Sequence, residues 1–516
     1  MLTDNCMNFT RLKRTLVILL LVVSGSFLTT GLAQVSAGEL RNLVGQEPAN
    51  VPAWIDLGNV YLHQGDFEAA KSAFLEAISL DYRQGDAHFG LGLAEYNRGD
   101  YQAALFSFGE VARLYPDRFD GHYNLAVTQA RLRMPAEAAE SFRAALENAA
   151  PEADLADQFN AWQGLAGQLK LTGDYSGAAE AYASAIETQP DNRNIRFLHA
   201  EALYRAGQGL DALPLLIELD DEDNEDHRVS SLIADIYVEQ GQTDYALRAL
   251  ERAIRKAEDG GSASVQAGVH IKLGLLLRDL GRGNEAIVSF QRATNIDPAS
   301  WQAHYNLGLS FLEAGRTDEA INPLETAVVR EPTSGEARVA LAAAFDQAGQ
   351  AEAALEQADA ALGLLADAGL QAQARFLAGR SEYRLGNHTR AAQLFEAVVN
   401  ERPGDAQAQL WAGLAHYQLG DYPLAIQYYE RAVQLAPENR DARANLAAAY
   451  LAAGQYSDAE FIYLELLDQQ PADAASHYNL GWALLSQNRL AAARDSFQAA
   501  AELDHGPARD ALNEYF

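Results

Sequence analysis

The sequence predicts an all-α solenoid of stacked helix-turn-helix units, and three observations predict it. Aligning the 516 residues on their small side chains gives thirteen units, beginning at 51, 85, 119, 159, 193, 227, 267, 301, 335, 372, 406, 440 and 474 and mostly 34 residues apart. The twentieth position of every unit is alanine: Ala70, Ala104, Ala138, Ala178, Ala212, Ala246, Ala286, Ala320, Ala354, Ala391, Ala425, Ala459 and Ala493. The fifteenth is glycine in eleven units, with Arg133 and Asn488 as the exceptions. Self-similarity at such a period marks an array whose units bury their apolar faces only by stacking on one another.

The chain opens with Arg11, Lys13 and Arg14, an apolar run over 16–28, and small residues at Gly31 and Ala33. That order is the pattern of a secretory signal peptide, so residues 1–33 are expected to be removed by cleavage after Ala33. The alternative is an uncleaved signal anchor. The stretch 15–33 has the length of a bilayer span, although Ser24, Gly25, Ser26, Thr29 and Thr30 weaken its second half. In either case the positive charges stay on the inner side and the rest is exported, to the periplasm or cell envelope or to the outer side of the inner membrane. Cys6 is the only cysteine and precedes the apolar run, which fits neither a lipoprotein cysteine nor a disulfide or thiolate site in the repeats.

Residues 34–50 read as a capping half-repeat, with the second-helix-like stretch over 38–48 ending in Glu47 and Pro48. Units one to three fill 51–152, four to six 159–260, seven to nine 267–368 and ten to thirteen 372–507, and 508–516 begins a capping helix whose Leu512 and Tyr515 cover the last core. Within a unit, apolar residues recur at spacings of three and four, as in Trp54, Leu57 and Tyr61, then Ala70, Phe74 and Ala77. That spacing predicts two amphipathic helices. Position eight is always Gly or Ala, so with Ala at twenty it lets two backbones approach, while Phe or Tyr at twenty-four fills the gap. Glycine at fifteen ends the first helix in the left-handed conformation, which Asn488 also tolerates. Proline closes seven units, at Pro116, Pro190, Pro298, Pro332, Pro403, Pro437 and Pro471. Extra residues at 153–158, 261–266 and 369–371 are expected as lengthened helices or turns after every third unit, and Pro214 and Pro323 are expected to kink second helices.

With Trp54, Leu57, Gly58, Tyr61, Gly65, Ala70, Phe74 and Ala77 at these offsets, the unit resembles the tetratricopeptide repeat, and the resemblance runs over 51–507. It implies a right-handed superhelix and a protein-binding scaffold in which first helices line a concave groove and positions two, five, nine, twelve and thirteen face a bound segment. On this sequence those offsets select Phe376, Arg380, Tyr383 and Arg384 in unit ten and Phe197, Tyr204 and Arg205 in unit five. Aromatic and arginine side chains combine large area with directional charge, which suits an interface. Units three, eight and thirteen carry His-Tyr-Asn-Leu at positions four to seven, adding Tyr123, Asn124, Tyr305, Asn306, Tyr478 and Asn479, and Asn445 recurs at position six of unit twelve. These asparagines resemble the groove asparagines of the O-GlcNAc transferase repeat arm. The competing account has the aromatics packing between neighbouring units and the arginines pairing with nearby carboxylates. The trio that grips a C-terminal carboxylate in the chaperone cofactors of this family is not found.

Asp and Glu number 71 against 39 Lys and Arg, a net charge of −32 that disfavours nucleic acid and anionic membrane surfaces. Membrane contact is expected only through a retained leader. The position-four histidines His88, His122, His270, His304 and His477 read as packing residues, and no metal or other cofactor is expected. The acidic run 220–226, from Asp220 to Asp226, lacks the glycine and terminal glutamate of an EF-hand loop and reads as a solvated junction. No phosphate-cradling loop, zinc-protease motif or set of nucleophile, base and orienter is present, and the tiling leaves no segment for a catalytic domain. The expectation is a non-catalytic adaptor that binds extended segments of partner proteins in assembly of an envelope complex. An accessory subunit that positions a separate enzyme, such as a glycan synthase, is the alternative from another class.

Overall fold

The computed structural model describes residues 36–148, 154–222 and 225–516, so the leader with its cut after Ala33 and Cys6 lies outside the described residues. Among the described residues there are 28 helices and no strand, divided into one body up to Lys256 and another from Ala257 onward. None of these helices is long and apolar enough to cross a membrane.

Each unit folds as two antiparallel helices because its small residues sit where the backbones meet. All thirteen position-twenty alanines are fully buried. A Cβ added to Gly413 would stand 2.6 Å from the ring of Tyr429, and one on Gly308 would stand 2.4 Å from Leu324. Positions eight and twenty-four of one unit therefore interlock. The aromatic expected at twenty-four is not universal, since Leu216, Leu250 and Leu324 replace it in units five, six and eight and Ala358 in unit nine. All eleven position-fifteen glycines have positive φ, from 69° to 88°, and Asn488 follows at 60°. Arg133 adopts 61° with its side chain exposed, and nothing in its surroundings explains the choice of arginine.

The three insertions become extra turns at the start of first helices. Leu155–Thr172 has 18 residues, Ala263–Asp279 has 17 and Ala368–Arg384 has 17, whereas the other first helices have 13 or 14. Each extension opens on its own cap: Asp154 accepts from the N–H of Ala156, Ser262 from Val265 and Asp367 from Leu370. The helices Gly209–Glu222 and Thr317–Arg330 continue past Pro214 and Pro323 rather than breaking there. Pro214 and Pro323 are the sixth and seventh residues of these helices, past the four N–H groups that have no partner within a helix, so each removes one helix hydrogen bond without ending the helix.

A single helix packs against the first unit and another against the last. Ala37–Gln46 starts with a reciprocal capping box between Ser36 and Glu39 and buries Leu40 and Val44 against unit one. At the other end Gly506–Tyr515 packs Leu512 on the last core, and the Tyr515 ring meets Trp482 edge-on at 5.4 Å.

Position four has a role that its reading as a packing site missed. The Nε2 atoms of His88, His122 and His477 lie 2.9 Å from the main-chain carbonyls of Tyr82, Pro116 and Pro471, and His304 lies 3.3 Å from that of Pro298. A carbonyl only accepts, so Nε2 carries the hydrogen. Trp54 donates its indole N–H to Pro48 at 2.9 Å, Gln409 its amide to Pro403 at 3.2 Å, and Arg338 its guanidinium to Pro332 at 3.1 Å. These carbonyls follow the end of a second helix, where no i+4 N–H remains to satisfy them. In these seven units position four thus pins the turn to the unit before, whereas Arg196, Arg375 and Arg443 at the same position reach Glu222, Glu401 and Glu465.

Candidate functional site

Beyond chain neighbours, the units touch through first helix on first helix, as Val51–Gln64 does on Gly85–Arg98 and Gly335–Gln347 on Ala368–Arg384. First helices therefore occupy the tighter, concave side of each body, and their outward positions line it.

In unit five, the selected residues are engaged with unit six. Phe197 is 7% exposed, with the Arg228 guanidinium 4.7 Å over its ring. The Tyr204 hydroxyl donates to Glu239 at 2.7 Å, and burial together with that carboxylate raises the phenol above its ordinary pKa. Arg205 is exposed.

In unit ten, Phe376 meets Phe395 edge-on at 5.6 Å and Tyr383 meets Trp411 edge-on at 5.5 Å. Arg380 and Arg384 both reach Asp346 of unit nine, at 3.0 and 2.7 Å, and Arg384 also donates to the Asp346 carbonyl at 2.6 Å. The Asp346 side chain is 1% exposed. Burial pushes its carboxyl up despite the two guanidiniums, and burial lowers Arg380 despite Asp346. Asp346 is the residue that sequence reasoning passed over. The signal was available, for it stands at lining position twelve one unit before arginines at nine and thirteen.

The shared His-Tyr-Asn-Leu does not create one environment. Tyr123 is buried between Phe119 and Phe142, and the buried Asn124 donates its amide to Asp120 of its own helix at 2.8 Å. Tyr305 is half-buried beside Trp301, and Asn306 donates to Gln302 at 2.8 Å. Tyr478 packs among Trp482, Phe497 and His505, while Asn445 and Asn479 are half-buried. Position six faces the preceding unit's position twenty-four: a Cβ on Gly90 would stand 2.2 Å from Phe74 and one on Gly164 2.5 Å from Phe142. An asparagine there points between units before it points into a groove.

The acidic run is matched by cations of this chain. Asp220 pairs with the buried Lys256 at 2.7 Å and with Arg252 at 3.1 Å, and it accepts from the Ser230 hydroxyl. Asp226 caps His227–Glu239 and pairs with Arg228 and Arg193 at 2.8 and 3.2 Å. Residues 223 and 224 lie outside the described residues, and among those described no cluster with metal-ligating composition occurs.

The lining itself changes along the chain. At positions five, nine and twelve, units four to six carry Gln163, Gly167, Lys170, Phe197, Glu201, Tyr204, Ser231, Asp235 and Val238, with Lys170 bound to Glu201 at 2.7 Å. At the same positions units eleven to thirteen carry Leu410, Leu414, Tyr417, Ala444, Ala448, Leu451, Tyr478, Trp482 and Leu485. All of these but Leu410 are half-buried and none is charged.

Family models described as tetratricopeptide repeat match residues 55–118, 97–153, 305–369, 339–406 and 376–440, and also 171–236, 416–478 and 474–505, and a TPR repeat model matches 274–315. Among curated proteins, no sequence matches significantly. Among solved structures, the chain is similar to the APC/C hetero-tetramer Cut9-Hcn1, with 14% identity, 93% of this chain and 98% of that one covered, and a TM-score of 0.37. It is similar to Naa15/Naa10 bound to HypK-THB, with 15% identity, coverage of 90% and 77%, and a TM-score of 0.40. A third is YrrB, described as a TPR protein with an unusual peptide-binding site, with 22% identity, coverage of 38% and 97%, and a TM-score of 0.34. Together these models match most of the stretch from residue 55 to 505, with 154–170 and 237–273 unmatched, and the chain belongs to the tetratricopeptide repeat family.

Proposed function

We propose that this protein is a non-catalytic scaffold of an envelope complex, exported by its leader, whose concave lining binds segments of partner proteins. The observation that carries the reading is that positions five, nine and twelve of units eleven to thirteen are uncharged and, Leu410 apart, half-buried, in a chain of net charge −32. Apolar side chains that a helix turns to the inside of a curve, and leaves partly open, gain by being covered. The leader supports export, and its length favours a second reading in which residues 15–33 stay as an anchor.

The test is crosslinking and capture from native envelopes with the full chain, repeated with Leu414→Glu and Leu451→Glu together. Partners captured by the parent are expected to be lost from the variant. Undiminished return of the same partners would remove the lining from the account. Mass determination of the exported N-terminus separates cleavage from anchoring, since a start at Gln34 excludes the anchor.

A further inference from the structure

The Asp346 cluster carries an unbalanced charge. Two guanidiniums share one carboxylate, and no second carboxylate pairs with either of them among the described residues. One positive charge is therefore left over in the lining of units nine to eleven. The Nε–H of Arg380 is buried without an acceptor, while the side chains of Arg380 and Arg384 are 27% and 33% exposed. Aromatic rings hold Arg380 in place, with Trp411 5.2 Å beneath it and Tyr383 against Trp411 at 5.5 Å, while Arg384 is held by the Asp346 carboxylate and carbonyl. A guanidinium fixed by packing and by one carboxylate loses little further freedom on meeting a second.

The acidity of the chain as a whole does not cancel this local excess. At physiological ionic strength charges farther than about 8 Å are largely screened, so the adjacent side chains decide what binds. Next to the cluster, positions five, nine and twelve of units eleven to thirteen carry no charge, and Asp441 at position two of unit twelve is the one acidic side chain among the lining positions of those units.

We propose that Arg380 and Arg384 bind the side-chain carboxylate of an Asp or Glu in a partner segment whose apolar residues lie on units eleven to thirteen. The proposal rests on the reading of the concave lining as protein-binding and specifies its ligand. Packed helices stand about 10 Å apart and an extended chain rises about 3.3 Å per residue. One unit is thus crossed in about three residues. The recognised segment has an acidic residue at one end and apolar residues at steps of about three, over about twelve residues in all.

The test uses the full chain and two pools of peptides of about twelve residues, capped at both termini so that no terminal carboxylate competes. One pool has Asp or Glu near one end and mixed apolar residues at three-residue steps, in either chain direction; the other has Asn or Gln in place of the acid. Capture followed by mass spectrometry is expected to favour the acidic pool about tenfold, and the preference is expected to fall with added salt. The triple variant Asp346→Asn, Arg380→Gln, Arg384→Gln leaves no stranded charge and is expected to lose that preference while still capturing both pools. Asp346→Asn alone keeps both arginines and is expected to hold or increase it. Equal capture of the two pools, or loss of the acidic preference in Asp346→Asn, overturns the proposal while leaving the lining as a peptide site. Capture of both pools that survives Leu414→Glu with Leu451→Glu overturns the proposal by placing the bound peptide elsewhere, and the reading of the lining falls with it.

Discussion

Units four to six and units eleven to thirteen share one scaffold and differ in what they present. Both bury alanine at position twenty completely, Ala178, Ala212 and Ala246 in one set and Ala425, Ala459 and Ala493 in the other. Both turn through a left-handed residue at fifteen, from Gly173 to Gly241 and from Gly420 to Asn488. The first set nevertheless joins its first helices by polar contacts, Lys170 with Glu201 and Tyr204 with Glu239, whereas the second lines the same positions with Leu, Ala, Tyr and Trp. Steric closure of the helix pair constrains positions eight, fifteen and twenty and leaves five, nine and twelve free. A single fold can therefore offer chemically different faces along its length.

The largest expected effect breaks the polar side of this comparison. Asp220→Ala removes the carboxylate that the buried Lys256, Arg252 and the Ser230 hydroxyl all reach, and removing one partner of a buried pair costs about 3–5 kcal/mol. The urea midpoint of the full chain is expected to fall accordingly, and Lys256→Met in the same chain to recover most of the loss. A midpoint equal to the parent's would mean that water already reaches the pair.

Overpacking tests whether the scaffold is common to both sets. Ala178→Leu in unit four and Gly413→Leu in unit eleven are each expected to cost about 1–3 kcal/mol, and Ala320→Leu in unit eight falls in the same range. If one set tolerated the added side chain and the other did not, the shared closure would have to be given up.

Changes in the lining sharpen the contrast with less effect on folding. Leu451→Glu, at a half-buried lining position, is expected to cost under about 1 kcal/mol yet to reduce partner capture markedly, as read by crosslinking yield. Tyr204→Phe is the smallest change. It removes one partly exposed hydrogen bond worth about 0.5 kcal/mol and is expected to leave capture by units eleven to thirteen unaltered. A loss of capture in Tyr204→Phe equal to that in Leu451→Glu would show that the two linings do not act separately.

Much of this fold was legible because its constraints are local and repeated. Gly308, Ala320 and Leu324 lie within seventeen residues of one another, and the same offsets recur thirteen times, so the alignment exposes the contact. Less of the candidate site was legible. Phe197, Phe376 and Tyr383 were selected for facing a ligand, and each spends part of its surface on a neighbouring side chain. Tyr123 and Asn124 look identical in sequence to Tyr305 and Asn306, yet only the first pair is buried. The insertions could be turns or helices until Asp154, Ser262 and Asp367 were found capping longer helices.

The sequence by itself determined the number of units, their helix pairs and their left-handed turns, because backbone approach and positive φ admit few residue types. Only the tertiary structure decided which lining side chains are spent between units and which remain open. Arg384 and Asp346 are 38 residues apart and meet only after two first helices stack, and the charge left over at their contact depends on which acids that stacking brings near. Pairing across units follows from distance and direction in the packed array, and neither is carried by an offset within one repeat.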